Sequence, residues 1–262
     1  MYDFHLHSNV SFDSTELPEE ILRAAEQNRL KEICFTDHYD YNSEREGQHY
    51  LFNKEDYMLA YKPLKSQKVK IRMGVEFGLT TWNQNELNNF VHDANLDFVI
   101  GSVHFVNGYD PYYKEFWEGL DFKTAIDKYM LQTLECVKKH DNYDVLGHLT
   151  YVCKSSYNPT ATNISYSEIT DITDEILKII IKKGKGIEVN TSGVDRVGDF
   201  LPSLEYVRRF RDLGGEIITV GSDAHDRTRV GQYINGALEM IKEIFPYVCT
   251  FEERKPIFHN IK

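Results

Sequence analysis

Positive charge is in short supply. Lys and Arg number 30 against 41 Asp and Glu, which leaves a formal net charge of -11. That balance speaks against non-specific binding to nucleic acid or to an anionic membrane surface, since both need a cationic face. It does not speak against a small phosphorylated substrate, because bound cations would neutralise acidic ligands locally. Long apolar runs are missing too. No stretch approaches the roughly 18 residues that a membrane span needs, and Asp3 and His5 interrupt any apolar start, so neither a span nor a signal peptide is expected. The expected location is cytoplasmic. Cysteine is sparse: Cys34, Cys136, Cys153 and Cys249 stand far apart and never as Cys-x-x-Cys. They read as buried, inert thiols of a reducing compartment rather than as a disulfide framework. No Gly-x-Ser-x-Gly elbow offers a serine nucleophile.

What is present is a core-forming chain. Of 262 residues, 41% are hydrophobic and 27% charged, and 15 Phe with 17 Tyr argue against disorder. Strand and helix patterns alternate along it. Strands are expected over 2–6, 32–36, 69–75, 97–102, 143–147, 186–189 and 216–220. Helices are expected over 18–29, 54–65, 83–94, 121–140, 167–183, 202–213 and 230–244, with a closing strand over 247–251. Two long connections, 105–120 and 149–165, read as functional. Seven successive strand-then-helix units imply parallel strands with right-handed crossovers. The fold class is therefore α/β, one closed or nearly closed barrel spanning 1–262 as a single domain. An open doubly wound sheet is the other arrangement such a pattern allows.

Chemistry gathers at the strand ends. His5 and His7 sit two residues apart, so an extended backbone sends both imidazoles to one face. His38 follows the second strand, Glu76 the third, His104 the fourth and His148 the fifth, while Asp223 and His225 follow the seventh. Asp13 stands a few residues beyond the first pair. Parallel barrels place their active sites at this end of the strands. His49, His92, His140 and His259 fall outside the series and read as solvated or capping residues. Nine candidate ligands exceed what one catalytic zinc uses, so two or three divalent transition-metal ions are expected, Zn, Mn or Fe. A carboxylate such as Glu76 suits bridging. Such a cluster lowers the pKa of bound water and clamps phosphoryl oxygens, which favours phosphate-ester hydrolysis.

His5-x-His7, Thr36-Asp37-His38, Gly74-Val-Glu76, Gly101-Ser-Val-His104, Gly147-His148 and Gly221-Ser-Asp-Ala-His225 together resemble the PHP (polymerase and histidinol phosphatase) family over nearly the whole chain. Asn190-Thr-Ser-Gly193 and the run from Ser102 to Gly108 resemble its histidinol-phosphatase branch. The resemblance implies a distorted (β/α)7 barrel with three metals. One would lie between His5, His7, Glu76 and Asp223, a second between Glu76, His104 and His148, and a third between Asp13, His38 and His225. It also implies hydrolysis of L-histidinol phosphate in histidine biosynthesis.

For the substrate's phosphate, Arg196 matches a basic position after the Asn190 motif in relatives, and Arg229 and Lys154 are further candidates. Arg196 would stabilise the departing charge, and Asp223 or His225 would protonate the leaving group. The loop from Tyr109 to Trp117 offers aromatic faces and carboxylates for a cationic imidazole and ammonium. Two other activities use the same residue types. One is a family phosphatase or phosphodiesterase for phosphotyrosine or nucleotide esters; the other is an amidohydrolase-type C–N hydrolase, for which no strand-end lysine is present. The sequence carries no sign of oligomeric state.

Overall fold

A computed structural model describes residues 1–41, 50–158, 160 and 162–261. His49 and positions 159 and 161 of the second long connection lie outside the described residues. Seven strands run parallel in one sheet: β1 (Tyr2–Leu6), β2 (Glu32–Phe35), β4 (Lys70–Gly78), β5 (Phe98–Ser102), β6 (Val145–Leu146), β7 (Gly186–Asn190) and β8 (Ile218–Gly221), in that spatial order. A short β3 (His38–Asp40) extends the sheet beside the upper half of β4, with His38 opposite Glu76. The sheet curls until β8 meets β1. Leu6 bridges Ala224, the His7 N–H donates to the Ala224 carbonyl at 2.9 Å, and the Asp223 N–H donates to the His5 carbonyl at 2.9 Å. The result is a distorted (β/α)7 barrel.

Helices such as Pro18–Gln27, Phe122–Lys139 and Thr170–Lys182 cover the outside with apolar faces; the first buries Ile21, Leu22, Ala24 and Ala25. Strands caught between this layer and the barrel interior are buried on both faces, as parallel strands are. The lower end is plugged. Phe4, Phe98, Ile100 and Val145 form a separate apolar cluster with Cys249 and Phe251 of a C-terminal antiparallel hairpin, β9 (Tyr247–Glu252) and β10 (Lys255–Asn260). Ion pairs pin the hairpin there: Arg72 to Glu252 at 2.8 Å and Arg254 to Asp144 at 2.5 Å.

Several expected elements change shape. The strand expected over 143–147 shrinks to Val145–Leu146, and the one over 216–220 begins at Ile218. The strand over 247–251 pairs with β10 rather than extending the barrel sheet. The last helix runs Ile234–Ile241, preceded by a 3₁₀ turn at Arg227–Arg229. The pairing of β1 with β2 shifts register between Asp3 and Leu6, an irregularity of the kind that re-aims side chains near active sites. All four cysteines are free and buried, and burial pushes the Cys136 and Cys153 thiols up to about 12. No helix among the described residues is long and apolar enough to cross a membrane.

Candidate metal centre

The strand ends converge on Glu76. This fully buried carboxylate turns Oε2 toward His5 Nε2 and His38 Nδ1, both at 3.1 Å, and toward His7 Nε2 at 3.5 Å. Its Oε1 lies 2.8 Å from His148 Nε2 and 3.2 Å from His104 Nε2. Those two histidine nitrogens are 3.4 Å apart. Asp223 Oδ1 faces His7 at 3.3 Å and His5 at 3.7 Å. Asp13 Oδ2 reaches His225 Nε2 at 3.0 Å and His38 Nε2 at 3.5 Å. All nine candidate ligands thus meet at one place. Of the remaining histidines described, His140 is buried against the Thr80 carbonyl and His259 stacks on Tyr2, both away from the cluster. His92 is exposed on the helix Gln84–Asp93.

Hydrogen bonding leaves this centre incomplete. His5 Nε2, His7 Nε2, His38 Nδ1 and Glu76 Oε2 are buried without a hydrogen-bond partner. Each such group costs about 1–3 kcal/mol if nothing compensates it. Four of them facing one point, with a donor set of imidazoles and carboxylates, fit divalent transition-metal ions. His5, His7 and Asp223 place three ligand atoms within 4.8 Å of one another, as do His5, Glu76 and His148, and His7, His38 and His225.

The chain's own charges are arranged for cations. Burial would raise the pKa of Glu76, but His5, His104 and His38 hold it well below the usual carboxylate range. Burial would likewise raise that of Asp223, yet Lys154 and His5 keep it well below. His7 is driven the other way, well below the usual imidazole value, first by burial and then by His225 and His38. His5, His38 and His104 go up despite their burial, because Glu188, Glu76 and Asp40 respectively face them, so a metal ion binding there would displace protons. Asp223 also occupies the left-handed backbone region (φ 54°), where few residues other than glycine sit, a conformation retained at functional sites when the surroundings enforce it.

A second layer of acceptors aims the ring nitrogens. Asp40 holds His104 Nδ1 with both oxygens at 3.1 Å, leaving Nε2 for Glu76. Gly78 makes room for it, since a Cβ there would stand 1.9 Å from Asp40 Oδ1. Glu188 accepts from His5 Nδ1 at 2.6 Å. Ser11 Oγ meets His7 Nδ1 at 3.0 Å and donates in turn to Asp37, which also accepts from the Ser8 backbone and from Tyr61. Asp37 of the Thr36-Asp37-His38 motif is therefore a brace. The strand-end logic misses Asp40 and Glu188. Two signals mark them: Asp40 follows His38 by the strand period of two, and Glu188 is a charge inside an otherwise uncharged strand.

The centre opens into a cavity of about 590 Å³. Lys154, on a 3₁₀ turn, enters it and pairs with Asp223 Oδ2 at 2.7 Å. Arg196 and Arg229 line an adjoining lobe of about 280 Å³ instead. Arg196 is held there by the Ser155 carbonyl at 3.2 Å and Arg229 by Asp195 at 3.0 Å. Tyr109, Asp110, Tyr113 and Glu115 of the first long connection also line the main cavity, whereas Trp117 is buried and ties the loop down through the Pro111 carbonyl.

A model of the PHP domain matches residues 3–192. The chain belongs to the PHP family. Among curated relatives, the histidinol-phosphatase of Lactococcus lactis subsp. lactis is 34% identical over 97% of this chain and 95% of its own length. A Clostridium acetobutylicum protein described as a probable histidinol-phosphatase is 31% identical over 97% and 98%. Of solved structures, the Lactococcus lactis histidinol phosphate phosphatase complexed with zinc, L-histidinol and phosphate superposes with a TM-score of 0.84, at 31% identity and 98% coverage of each chain. A Listeria monocytogenes structure, 17% identical, shares the fold with a TM-score of 0.73 over 90% of this chain and 99% of its own.

Proposed function

We propose that this chain is a metal-dependent phosphomonoesterase that hydrolyses L-histidinol phosphate to L-histidinol and phosphate. The observation that carries the reading is Glu76, whose two oxygens are shared among five histidines, four of them buried, in the lining of a substrate-sized cavity. Two or three ions would sit around it. His5, His7, Glu76 and Asp223 would hold one, Glu76, His104 and His148 a second, and Asp13, His38 and His225 a third. Zinc is favoured by the complex of the Lactococcus lactis relative, with manganese and iron compatible with the same donors. Bound there, the ions would acidify water and neutralise charge on the phosphoryl group.

The protein's own residues divide the remaining work. Water oxygen bonds to phosphorus and gives up a proton, the ester P–O bond breaks, and the departing alkoxide takes that proton, which Asp223 or His225 beside the centre would relay. Lys154 meets the phosphoryl oxygens from the centre's side, and Arg196 and Arg229 do so from the adjoining lobe. Asp110 and Glu115, with the tyrosines beside them in the cavity lining, offer carboxylates and ring faces to the cationic end of the substrate. A panel of L-histidinol phosphate, phosphotyrosine, nucleoside monophosphates and a cyclic amide tests the assignment. The expected result is a kcat/KM for L-histidinol phosphate about 100-fold above each of the others, the discrimination that two or three buried polar contacts provide. Preference for phosphotyrosine or a nucleotide would move the chain to another member activity of the family, and amide cleavage without phosphate release would overturn the phosphatase reading.

A further inference from the structure

Glu188 stands in the middle of the barrel, 1% exposed, and its two oxygens serve three donors from three strand ends. Oε1 faces His5 Nδ1 at 2.6 Å. Oε2 accepts from the His148 backbone N–H at 3.0 Å and from Asn190 Nδ2 at 3.2 Å. Room is reserved for it: a Cβ on Gly221 would lie 2.6 Å from Oε1 and 2.3 Å from the His5 Cβ, so that motif position admits only glycine. The residue lines neither the main cavity nor its adjoining lobe, which separates it from the substrate-facing carboxylates.

We infer that Glu188 is a positioning residue that fixes His5 with its proton on Nδ1, so that Nε2 presents a lone pair to the metal centre. The inference rests on the metal-dependent reading proposed above. A carboxylate is required because every neighbour is a donor. A glutamine of the same shape has one oxygen to offer. If that oxygen faces His5, its NH2 group confronts the His148 N–H and the Asn190 amide, donor against donor. If the NH2 faces His5, Nδ1 must become the acceptor, and the proton moves to Nε2, directed at Glu76. Neither arrangement leaves both a satisfied barrel interior and a free His5 Nε2. Partners of this kind tune metal affinity as strongly as ligands do. Because Glu188 also holds the His148 backbone, it ties the His5 group of donors to the His104–His148 group through one buried charge.

The test compares wild type with Glu188→Gln at buffered free zinc, measuring zinc bound per chain alongside hydrolysis. For Glu188→Gln, half-occupancy of one site is expected at 10- to 100-fold higher free zinc, with turnover recovering as zinc is raised. A binding curve superimposable on wild type would overturn the inference while leaving the metal reading intact. A wild-type chain that binds no zinc would sink that reading and the inference with it. Should Glu188→Gln not fold, the wild type decides alone: in the zinc-loaded protein, ¹⁵N-edited NMR is expected to show a slowly exchanging proton on His5 Nδ1. An unprotonated His5 Nδ1 would contradict the role.

Discussion

Glu76→Gln is expected to lower turnover of L-histidinol phosphate by about 10³-fold or more while leaving the barrel folded, because it removes the charge that two groups of donors share and that also faces His38 of the third. The size follows from the contacts. Five histidine nitrogens lie between 2.8 and 3.5 Å of the two carboxylate oxygens. An amide can present its oxygen to one side only. On the other, its NH2 would meet either His104 and His148 or His5, His7 and His38, and would push a cation away. The fold should tolerate the change, since glutamine keeps the volume and can still accept from the Ser102 hydroxyl, now 2.7 Å from Oε1. Steady-state kinetics with excess zinc, beside far-ultraviolet circular dichroism, reads both halves. Activity within about tenfold of wild type would mean that Glu76 does not organise the catalyst.

Removing the metals is expected to abolish hydrolysis and to lower the melting temperature by about 8–16 °C. A ligand that binds only the folded chain stabilises it by about 4 kcal/mol when present at 1,000 times its dissociation constant, and a chain of this size shifts by about 2–4 °C per kcal/mol. The donors are poorly served without cations, as the unpartnered nitrogens of His5, His7 and His38 show. Calorimetry before and after dialysis against a strong chelator measures the shift, and return of both melting temperature and activity on adding zinc would exclude irreversible damage. An unchanged melting temperature after verified metal loss would show that the cluster is indifferent to cations.

Much of this centre is legible in the amino-acid order. Parallel strands bring their C-terminal ends together, so His5, His38, Glu76, His104, His148 and Asp223, each at such an end, had to meet once the alternation of strands and helices was recognised. Asp13 was placed beside His38 and His225 by resemblance alone, and its carboxylate does lie next to both. What stayed hidden obeys a different rule. Asp40 belongs to a three-residue strand that no periodicity announces. Glu188 precedes the expected end of its strand, at 189, whereas Glu76 follows its expected end, at 75, although both lie two residues inside the observed strands. The importance of Asp40 and Glu188 comes from the second nitrogen of a neighbouring ring, a relation between strands distant in the chain. Tertiary position also reorders the cations: Lys154 stands in the main cavity, whereas Arg196 and Arg229 line the lobe beside it. The hairpin partner Lys255–Asn260, with a proline and only Ile257 and Phe258 as apolar strand formers, gives too little apolar pattern to mark it as part of the barrel floor.

The central claim, a several-metal centre built on Glu76 that hydrolyses L-histidinol phosphate, is tested most directly by stepwise reconstitution. Metal-free protein is titrated with zinc, and phosphate release from L-histidinol phosphate is measured at each addition. Activity that stays low through the first equivalent and rises only as a second or third is bound is the predicted result. Full activity at one equivalent, or phosphate release that needs no metal, would contradict it.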